Sequence, residues 1–183
     1  MNEIPLDRVY RFIEPGPVVL VTTVDNGHNN IMTMSYHMVI DDSRPLIGCI
    51  IGPWDHSFTA LCATGECVIA VPAVDLASRV VAIGNCSGRD IDKFNAFGLT
   101  PMPARQVKPP LVAECPVNLE CQVADAGLVD RYNLFILEVV KAWVDPERAE
   151  RRVIHHNGDG TFVVDGETID FQEQMVKWPT YLC

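Results

Sequence analysis

The chain has 183 residues, of which 48% are hydrophobic and 21% are charged. This length suits one domain, and the composition is apolar enough to bury a core without crosslinks, which excludes a disordered chain and a small disulfide scaffold. The formal net charge of -10 repels phosphate backbones, so a general nucleic-acid-binding role is not expected. We therefore expect a single domain over residues 1–183.

Seven cysteines stand in the sequence, an odd number with no Cys-x-x-Cys pair. This pattern argues against a disulfide framework and against a zinc ribbon, so most of the thiols are expected to be reduced. Cys115 and Cys121 are expected to be small core residues rather than a redox pair. The sequence does not open with a basic segment followed by an apolar one, and its apolar runs are far shorter than the roughly 20 residues that span a bilayer. We therefore expect a cytoplasmic protein without a membrane partner.

Most of the predicted elements are strands. β-Branched residues dominate residues 17–24, and the Asn26-Gly27 pair that follows favours the positive φ angles of a tight hairpin turn. A similar turn signal at residues 157–160, between two short β-branched segments, predicts a second hairpin. Further strands are predicted at residues 46–51, 67–71, 117–123 and 134–144.

Three short helices interrupt the strands. Asp75 and Asp90 are expected to be the N-caps of the second and third helix. Because the strands do not alternate regularly with helices, the pattern favours an antiparallel barrel over a doubly wound parallel sheet. No Gly-x-Gly-x-x-Gly motif follows a strand, so a Rossmann nucleotide site has no support. Each predicted helix ends at a glycine: residues 57–64 before Gly65, residues 76–83 before Gly84 and residues 91–97 before Gly98.

The segment after the first turn, Asn29-Asn30-Ile31-Met32-Thr33-Met34-Ser35-Tyr36, is the first candidate site. It combines hydroxyl groups, two methionines and an aromatic ring. A flat heteroaromatic ligand needs such an apolar wall beside hydrogen-bonding groups. The alternative is an ordinary strand whose Thr and Ser side chains face solvent.

A second candidate lies at residues 54–59, which open the first helix. Free N–H groups and the positive dipole end at a helix start favour an anion, and Ser57 and Thr59 offer hydroxyls to a phosphate. The alternative is that Ser57 or Asp55 is simply an N-cap.

A third candidate lies at residues 87–94, which hold a glycine, two cations and a capped helix start. Lys93 is suited to neutralise an anionic ligand. The alternative is a solvated helix in which Asp90 and Lys93 pair across one turn.

In this order, the segments PVVLVTT, NIMTMSY, HSFT, TGECVIAVP and SGRDIDKF resemble the flavin reductase-like, FMN-binding split-barrel family, and the flavoredoxin branch is the closest match. The resemblance covers about residues 15–145 and fades after Asp145. It implies a mainly β fold, a six-stranded antiparallel split β-barrel with short helices. It also implies a homodimer with FMN in a groove near the subunit boundary.

The resemblance further implies three groups of cofactor contacts. The isoalloxazine ring and ribityl chain would be lined by Asn30, Thr33, Met34, Ser35 and Tyr36, where many relatives carry Trp or Phe at the last position. The phosphate would be bound by Ser57 and Thr59. The residues closing over the cofactor would be Ser87, Gly88, Arg89, Asp90 and Lys93, with Lys93 meeting either the phosphate or the N1/O2 edge of the ring.

The function expected from the resemblance is an FMN-binding oxidoreductase. NAD(P)H would donate a hydride to FMN, and the electrons would pass to free flavin or to a partner protein. No side chain need act as acid or base, so no catalytic residue is assigned. The alternatives are a flavoredoxin-like electron carrier without its own NAD(P)H activity, and a barrel that binds a different ligand or only itself. No metal site is expected, because His155 and His156 are neighbours on a predicted strand and point to opposite faces.

Overall fold

The computed structural model describes residues 16–174. Short helices separate the strands: α1 (His56–Thr64), α2 (Ala77–Gly84), α3 (Lys93–Ala96) and α4 (Val129–Tyr132), with 3₁₀ turns at Val74–Leu76 and Gln172–Gln174. The strands in chain order are β1 (Val19–Asp25), β2 (His28–Met34), β3 (His37–Asp41), β4 (Leu46–Ile50), β5 (Glu66–Val71), β6 (Pro101–Met102), β7 (Leu111–Val112), β8 (Val117–Leu128), β9 (Leu134–Val144), β10 (Ile154–His156) and β11 (Phe162–Val164).

Seven of these strands form one antiparallel sheet in the order β2-β1-β5-β8-β9-β4-β3. Its two edge strands, β2 and β3, are consecutive in the chain and separated only by Ser35 and Tyr36. The sheet must therefore curl until its edges approach each other, which makes a barrel that is split between β2 and β3. The predicted mainly β class and antiparallel architecture are confirmed. The sheet has one strand more than expected, because the chain resumes pairing at His37 on β4.

Both predicted hairpins are present. Asn26 and Gly27 have φ angles of 48° and 81°, the positive pair that a type I′ turn requires, and β1 and β2 pair up to Asp25 opposite His28. The second hairpin joins β10 to β11. It is joined to the residues just before β1 by a bridge between Pro17 and His155 and by a hydrogen bond of 2.8 Å from the Val18 N–H to the Ile154 carbonyl.

The first predicted helix is confirmed as α1, and Gly65 ends it with a φ of 66°. Both predicted N-caps are wrong. Asp75 lies inside the 3₁₀ turn before α2, and its carboxylate pairs with Arg148 instead. The third helix begins after Asp92, whose carboxylate accepts from the Asn95 N–H at 3.2 Å. Asp90 lies in the turn before it, where the N–H groups of Asp90 and Ile91 both donate to the Ser87 carbonyl. Gly84 belongs to the last turn of α2 rather than following it.

The core consists of two layers that share β1. Val19 and Val21 face the barrel interior, where they meet residues of five further strands, whereas Val18 and Leu20 face an outer layer made by α2, α3 and β10. Successive residues of a strand point to opposite faces, so a strand buried on both faces reads as a continuous apolar run. This explains why residues 17–24 are so uniformly hydrophobic.

The six cysteines within the described part of the chain are free thiols. Cys115 lies in the outer layer and Cys121 in the barrel interior, so both are core residues as expected. Burial raises the pKa of Cys115 and of Cys49 to about 12, which keeps both protonated at neutral pH.

A buried carboxylate holds the connection between β6 and β7 against the sheet. Glu120 of β8 is fully buried and accepts hydrogen bonds from the backbone N–H groups of Arg105, Gln106 and Val107 and, at 2.7 Å, from Trp143 Nε1. Burial alone raises the pKa of Glu120, but these donors outweigh it and the pKa lies below its ordinary value. The charged form is therefore part of the fold.

Candidate functional site

A groove follows β2 at the split of the barrel. It consists of four adjoining cavities, which we call the apolar (about 390 Å³), central (about 180 Å³), turn (about 290 Å³) and outer (about 510 Å³) cavities. Thr33 is common to the first two, Asn30 to the central and turn cavities, and Asn29 to the turn and outer cavities. Since these three residues all belong to β2, one strand lines the whole groove.

The position of β2 at a sheet edge gives this groove its hydrogen-bonding capacity. In the described sheet β2 pairs with β1 on one side only. An edge strand presents backbone N–H and C=O groups on its open side. A ligand lying along β2 therefore meets main-chain donors and acceptors at the strand spacing of about 3.3 Å per residue.

The apolar cavity has hydrophobic walls and a few polar groups. Val80 of α2 and Phe162 of β11 provide apolar walls, and Thr33, Ser35 and His156 supply polar atoms. The Thr33 hydroxyl donates to the Val80 carbonyl at 2.6 Å, which leaves its oxygen as an acceptor toward the cavity. This combination of apolar walls with few polar groups is typical of sites for flat aromatic ligands.

Lys93 places a buried cation in the central cavity. Its side chain is only 5% exposed, and Nζ donates to the Ile83 carbonyl at 3.0 Å. Burial lowers the pKa of Lys93, although the nearby Cys86 and Asp55 oppose this effect. An anionic ligand in the cavity would stabilise the ammonium form and so oppose the lowering of this pKa.

Asn30 and Ser57 form a buried polar pair between the central and turn cavities. The Ser57 hydroxyl oxygen accepts from Asn30 Nδ2 at 2.9 Å and from the Thr23 hydroxyl at 3.2 Å. Asn30 Oδ1 is buried and has no hydrogen-bond partner among residues 16–174. Because a buried polar atom without a partner costs about 1–3 kcal/mol, this oxygen suits a donor supplied by a ligand or by an ordered water.

Gly88 closes the groove against these groups. A Cβ at this position would lie 2.1 Å from Asn30 Oδ1 and 2.7 Å from His56 Cδ2. Only glycine allows the backbone to approach so closely. The loop that carries Ser87 and Gly88 therefore covers the junction of the central and turn cavities.

Comparisons with known proteins place this fold in one family. The model of the flavin reductase like domain matches residues 10–162. The chain belongs to this family. The match extends beyond Asp145, where the resemblance was expected to fade, and includes the β10–β11 hairpin as far as Phe162, which lines the apolar cavity.

Individual relatives of this flavin reductase-like chain cover nearly its full length. The uncharacterized protein YddH of Escherichia coli is 28% identical over 180 residues, which span 91% of this chain and 95% of that protein. The FMN-binding domain of a flavin reductases-like enzyme from Shewanella baltica superposes with a TM-score of 0.79 and 25% identity, covering 91% of this chain and 95% of that domain. Flavoredoxin of Desulfovibrio vulgaris superposes with a TM-score of 0.82 and 23% identity, covering 93% and 96% of the two chains.

Most of the residues singled out by sequence lie along the groove of this flavin reductase-like fold. Ser57 lies behind Asn30, to which it is hydrogen bonded. The others divide between the cavities. The apolar or central cavity is lined by Asn30, Thr33, Ser35, Ser87 and Lys93, and the turn or outer cavity by Gly88, Arg89 and Asp90.

Three of the predicted contacts lie elsewhere. Met34 is 5% exposed and packs in the barrel interior beside Val19 and Cys49, so only its backbone can face the groove. Tyr36 is 48% exposed at the link between β2 and β3, and Thr59 is exposed on α1; neither lines the four cavities.

Sequence reasoning missed several residues that line the groove. Trp54, His56 and Cys86 line the central cavity, and His156 and Phe162 line the apolar one. Trp54 and His56 stand inside a segment already singled out, so their chemistry was accessible from sequence. His156 and Phe162 reach the groove only through the folding of the second hairpin onto β1, for which the local sequence gives no signal.

The two adjacent histidines have separate partners. His155 Nε2 lies 2.9 Å from Asp165, and the His156 ring stacks at 5.0 Å on Phe162. Residues 16–174 contain no group of three or more His, Cys, Asp or Glu side chains placed to hold a metal ion. Nor does this part of the chain contain a helix long and apolar enough to cross a membrane.

Proposed function

We propose that this protein is an FMN-binding oxidoreductase of the flavin reductase type, which passes electrons from NAD(P)H through FMN to free flavin or to a partner protein. The observation that carries the proposal is the groove along β2, with an unpartnered buried oxygen on Asn30 and a buried cation on Lys93 in one cavity. Family membership over residues 10–162 and the FMN-binding relative from Shewanella baltica support it.

The residues present fit such a cofactor along its length. The apolar cavity suits the isoalloxazine ring, with Val80 and Phe162 as walls and the open edge of β2 as the hydrogen-bonding partner of the polar ring edge. Asn30 Oδ1 requires a donor, which a ribityl hydroxyl or a ring N–H provides. The phosphate is assigned to Ser57, whose oxygen already accepts two hydrogen bonds and whose proton is the group left to donate.

The protein's contribution to the reaction is positioning and electrostatics. Bound FMN supplies hydride acceptance and the release of electrons one or two at a time. Lys93 stabilises negative charge in the central cavity, whether on a phosphate or on a reduced ring. Val80 and Phe162 give the apolar cavity hydrophobic walls against which a flat ring packs. No proton transfer to or from a side chain is required.

Two measurements test this proposal. Titration of the protein with FMN should quench flavin fluorescence and saturate, and NADH or NADPH should then bleach the bound flavin and sustain turnover with added FMN.

Ser57→Ala should weaken FMN binding by about tenfold, since it removes one hydrogen bond to an anion. Thr59→Ala should have a smaller effect, because Thr59 is exposed on α1, whereas Ser57 is hydrogen bonded to Asn30 at the junction of the central and turn cavities. Protein that takes up no flavin would refute the proposal and favour a barrel that binds a different ligand.

A second candidate function is an electron carrier of the flavoredoxin kind, without NAD(P)H activity of its own. The net charge of -10 favours docking of a basic redox partner, and flavoredoxin of Desulfovibrio vulgaris shares the fold. If dithionite bleaches bound FMN and stoichiometric NADH and NADPH do not, the carrier role is the correct one.

We also infer that the protein acts as a homodimer in the cytoplasm. Met38, Val39 and Ile40 of the edge strand β3 are 51%, 74% and 44% exposed, and consecutive exposed apolar residues on a sheet edge are typical of an interface. Val39→Glu should therefore convert a dimer to a monomer in light scattering after gel filtration. Val144→Glu is the matched control, because Val144 is 63% exposed at the far end of β9. A wild-type protein that runs as a monomer would refute this inference.

A further inference from the structure

The thiol of Cys86 lies on the wall of the central cavity. Cys86 follows the end of α2, is half-buried, and lines this cavity together with Lys93 and Asn30. Four of the six cysteines among residues 16–174 are buried, and the two that are not are Cys86 and Cys62. Cys62 is exposed on α1. Cys86 is therefore the described thiol that a small reagent in the central cavity can reach.

The sulfur of Cys86 and the ammonium group of Lys93 converge on one backbone carbonyl. The Cys86 thiol donates to the Ala82 carbonyl at 3.4 Å and to the Ile83 carbonyl at 3.6 Å, and Lys93 Nζ donates to the same Ile83 oxygen at 3.0 Å. Burial lowers the pKa of Lys93, and the charge of Cys86 opposes this effect more strongly than that of Asp55 does. A thiolate at Cys86 is therefore close enough to pair with the ammonium group.

The thiolate is the form of cysteine that reacts with peroxides, and a neighbouring cation stabilises it. The other titratable side chains of described residues on the central cavity are Asp55 and His56. Asp55 Oδ2 accepts from the Gly52 N–H at 3.0 Å, so part of this carboxylate is already engaged. Cys62 has the opposite environment, since burial and the charge of Asp130 raise its pKa. The two accessible thiols therefore differ in the charge that stands beside them.

The central cavity also holds a buried acceptor that suits a ligand. Asn30 is 8% exposed, and its Oδ1 has no hydrogen-bond partner among residues 16–174. The cavity is the smallest of the four, at about 180 Å³, and it shares Thr33 with the apolar cavity and Asn30 with the turn cavity. A ligand that extends from the apolar cavity to the turn cavity therefore passes Cys86.

We propose that Cys86 is a site of oxidation by hydrogen peroxide, and that its oxidation weakens flavin binding in the central cavity. The proposal rests on the proposed function, because reduced flavin passes two electrons and two protons to dioxygen and so produces hydrogen peroxide. The Cys86 thiolate attacks one peroxide oxygen; an S–O bond forms, the O–O bond breaks and hydroxide leaves. The sulfur is oxidised by two electrons to a sulfenic acid, and the peroxide is reduced.

The sulfenic acid changes the cavity in two ways. Its hydroxyl group can donate to the Ala82 carbonyl in place of the thiol, and its oxygen can accept from the Lys93 ammonium group. The added oxygen also takes up room in the smallest of the four cavities. An anionic ligand then competes with the oxidised sulfur for both the cation and the space.

The first experiment locates the reactive thiol in the flavin-free protein. The protein is treated with hydrogen peroxide in the presence of dimedone, which alkylates sulfenic acids, and the labelled peptides are identified by mass spectrometry. Cys86 should be labelled at least about fivefold faster than Cys62. Lys93→Met removes the cation and should slow the labelling of Cys86 without changing that of Cys62. Labelling of Cys86 no faster than that of Cys62 would overturn the proposal.

The second experiment measures the effect of oxidation on flavin binding. After brief peroxide treatment and removal of the peroxide by catalase, the dissociation constant of the wild type for FMN should rise at least about threefold, and dithiothreitol should restore it. Cys86→Ser cannot form a sulfenic acid, so its dissociation constant should be the same before and after treatment. Cys62→Ser is the matched control and should respond like the wild type. An unchanged wild type, or an equal response of Cys86→Ser, would overturn the proposal.

The labelling experiment needs no flavin and so separates this proposal from the proposed function. If FMN fails to bind but Cys86 is labelled selectively, the proposed function fails and the oxidation site stands. If FMN binds and Cys86 is not labelled selectively, the proposed function stands and the oxidation site fails. Where both hold, saturating FMN should protect Cys86 from dimedone and leave the labelling of Cys62 unchanged. Equal labelling of Cys86 with and without FMN would overturn its place beside the flavin.

Discussion

Replacing Lys93 by Met tests separately what the buried cation contributes to stability and what it contributes to FMN binding. Methionine keeps the length and unbranched shape of the lysine side chain, so the central cavity keeps its volume. The Ile83 carbonyl loses the Lys93 donor at 3.0 Å but keeps the Cys86 thiol at 3.6 Å. The flavin-free protein should therefore change in stability by less than about 1 kcal/mol, whereas its affinity for FMN should fall.

The size of the affinity loss follows from the environment of the ammonium group. Lys93 is 5% exposed, so its charge is poorly screened and one charge-assisted hydrogen bond to an anionic ligand contributes about 1.5–3 kcal/mol. The dissociation constant for FMN should then rise about 10- to 100-fold in Lys93→Met. Lys108→Met removes the same formal charge from an exposed position outside the groove and should change the affinity much less.

The pH dependence gives an independent check on Lys93. Burial lowers its pKa in the folded protein, so between that pKa and the ordinary value of 10.5 the unfolded chain holds a proton that the folded chain does not. The stability of the flavin-free protein should therefore rise with pH across this interval, and this rise should be absent in Lys93→Met. FMN affinity should fall over the same interval, because the anion prefers the protonated lysine. If Lys93→Met binds FMN like the wild type, or no more weakly than Lys108→Met, the assignment of a cation to the cofactor is refuted.

Two further substitutions test the packing around the groove and the fold. Gly88→Ala should weaken FMN binding by about tenfold in titration, because its Cβ would meet Asn30 Oδ1 at 2.1 Å and push the loop away. Gly166→Ala is the control and should leave FMN binding unchanged, because no atom lies within 4 Å of the new Cβ. Equal affinities of the two variants would contradict this prediction. Glu120→Gln should lower the free energy of unfolding by about 2–4 kcal/mol in urea denaturation, since the amide cannot accept all the hydrogen bonds of the carboxylate. Glu138→Gln is the control: Glu138 is an exposed partner of Arg44, and its replacement should lower the free energy of unfolding by less than about 1 kcal/mol. Because folding lowers the pKa of Glu120, its contribution to the free energy of unfolding is full above about pH 5 and is lost as the pH falls through the folded pKa. The free energies of unfolding of the wild type and of Glu120→Gln should therefore converge in acid. A difference that stays constant with pH would contradict this prediction.

Elements defined by short-range signals were predictable from the sequence. The Asn26-Gly27 turn depends only on which residues tolerate positive φ, and the end of α1 depends on Gly65 in the same way. The helix that follows residues 87–92 was misplaced because two aspartates, Asp90 and Asp92, carry the same capping signal. Only the turn closed by the Ser87 carbonyl, a three-dimensional feature, decides between them.

The sequence predicted which segments of the chain form the site, but it did not predict which faces of those segments line the groove. β2, α1 and the loop before α3 were singled out, and Asn30, Thr33 and Lys93 do lie along one groove. The sequence pattern does not show which face of β2 is covered, so Met34 was grouped with Thr33 although it faces the barrel interior. The contribution of Phe162 depends on a contact between the second hairpin and β1, more than 130 residues apart in the sequence, and no local pattern encodes it.

The most direct test of the account is the absorption spectrum of the protein after incubation with FMN and removal of free flavin by gel filtration. We expect stoichiometric flavin to remain bound, with visible bands displaced from those of free FMN because the ring has moved into the apolar cavity. Lys93→Met should retain less flavin than Lys108→Met under the same conditions. A wild-type protein that leaves the column without flavin, or that retains it equally in both variants, would contradict the assignment of the β2 groove as a flavin site.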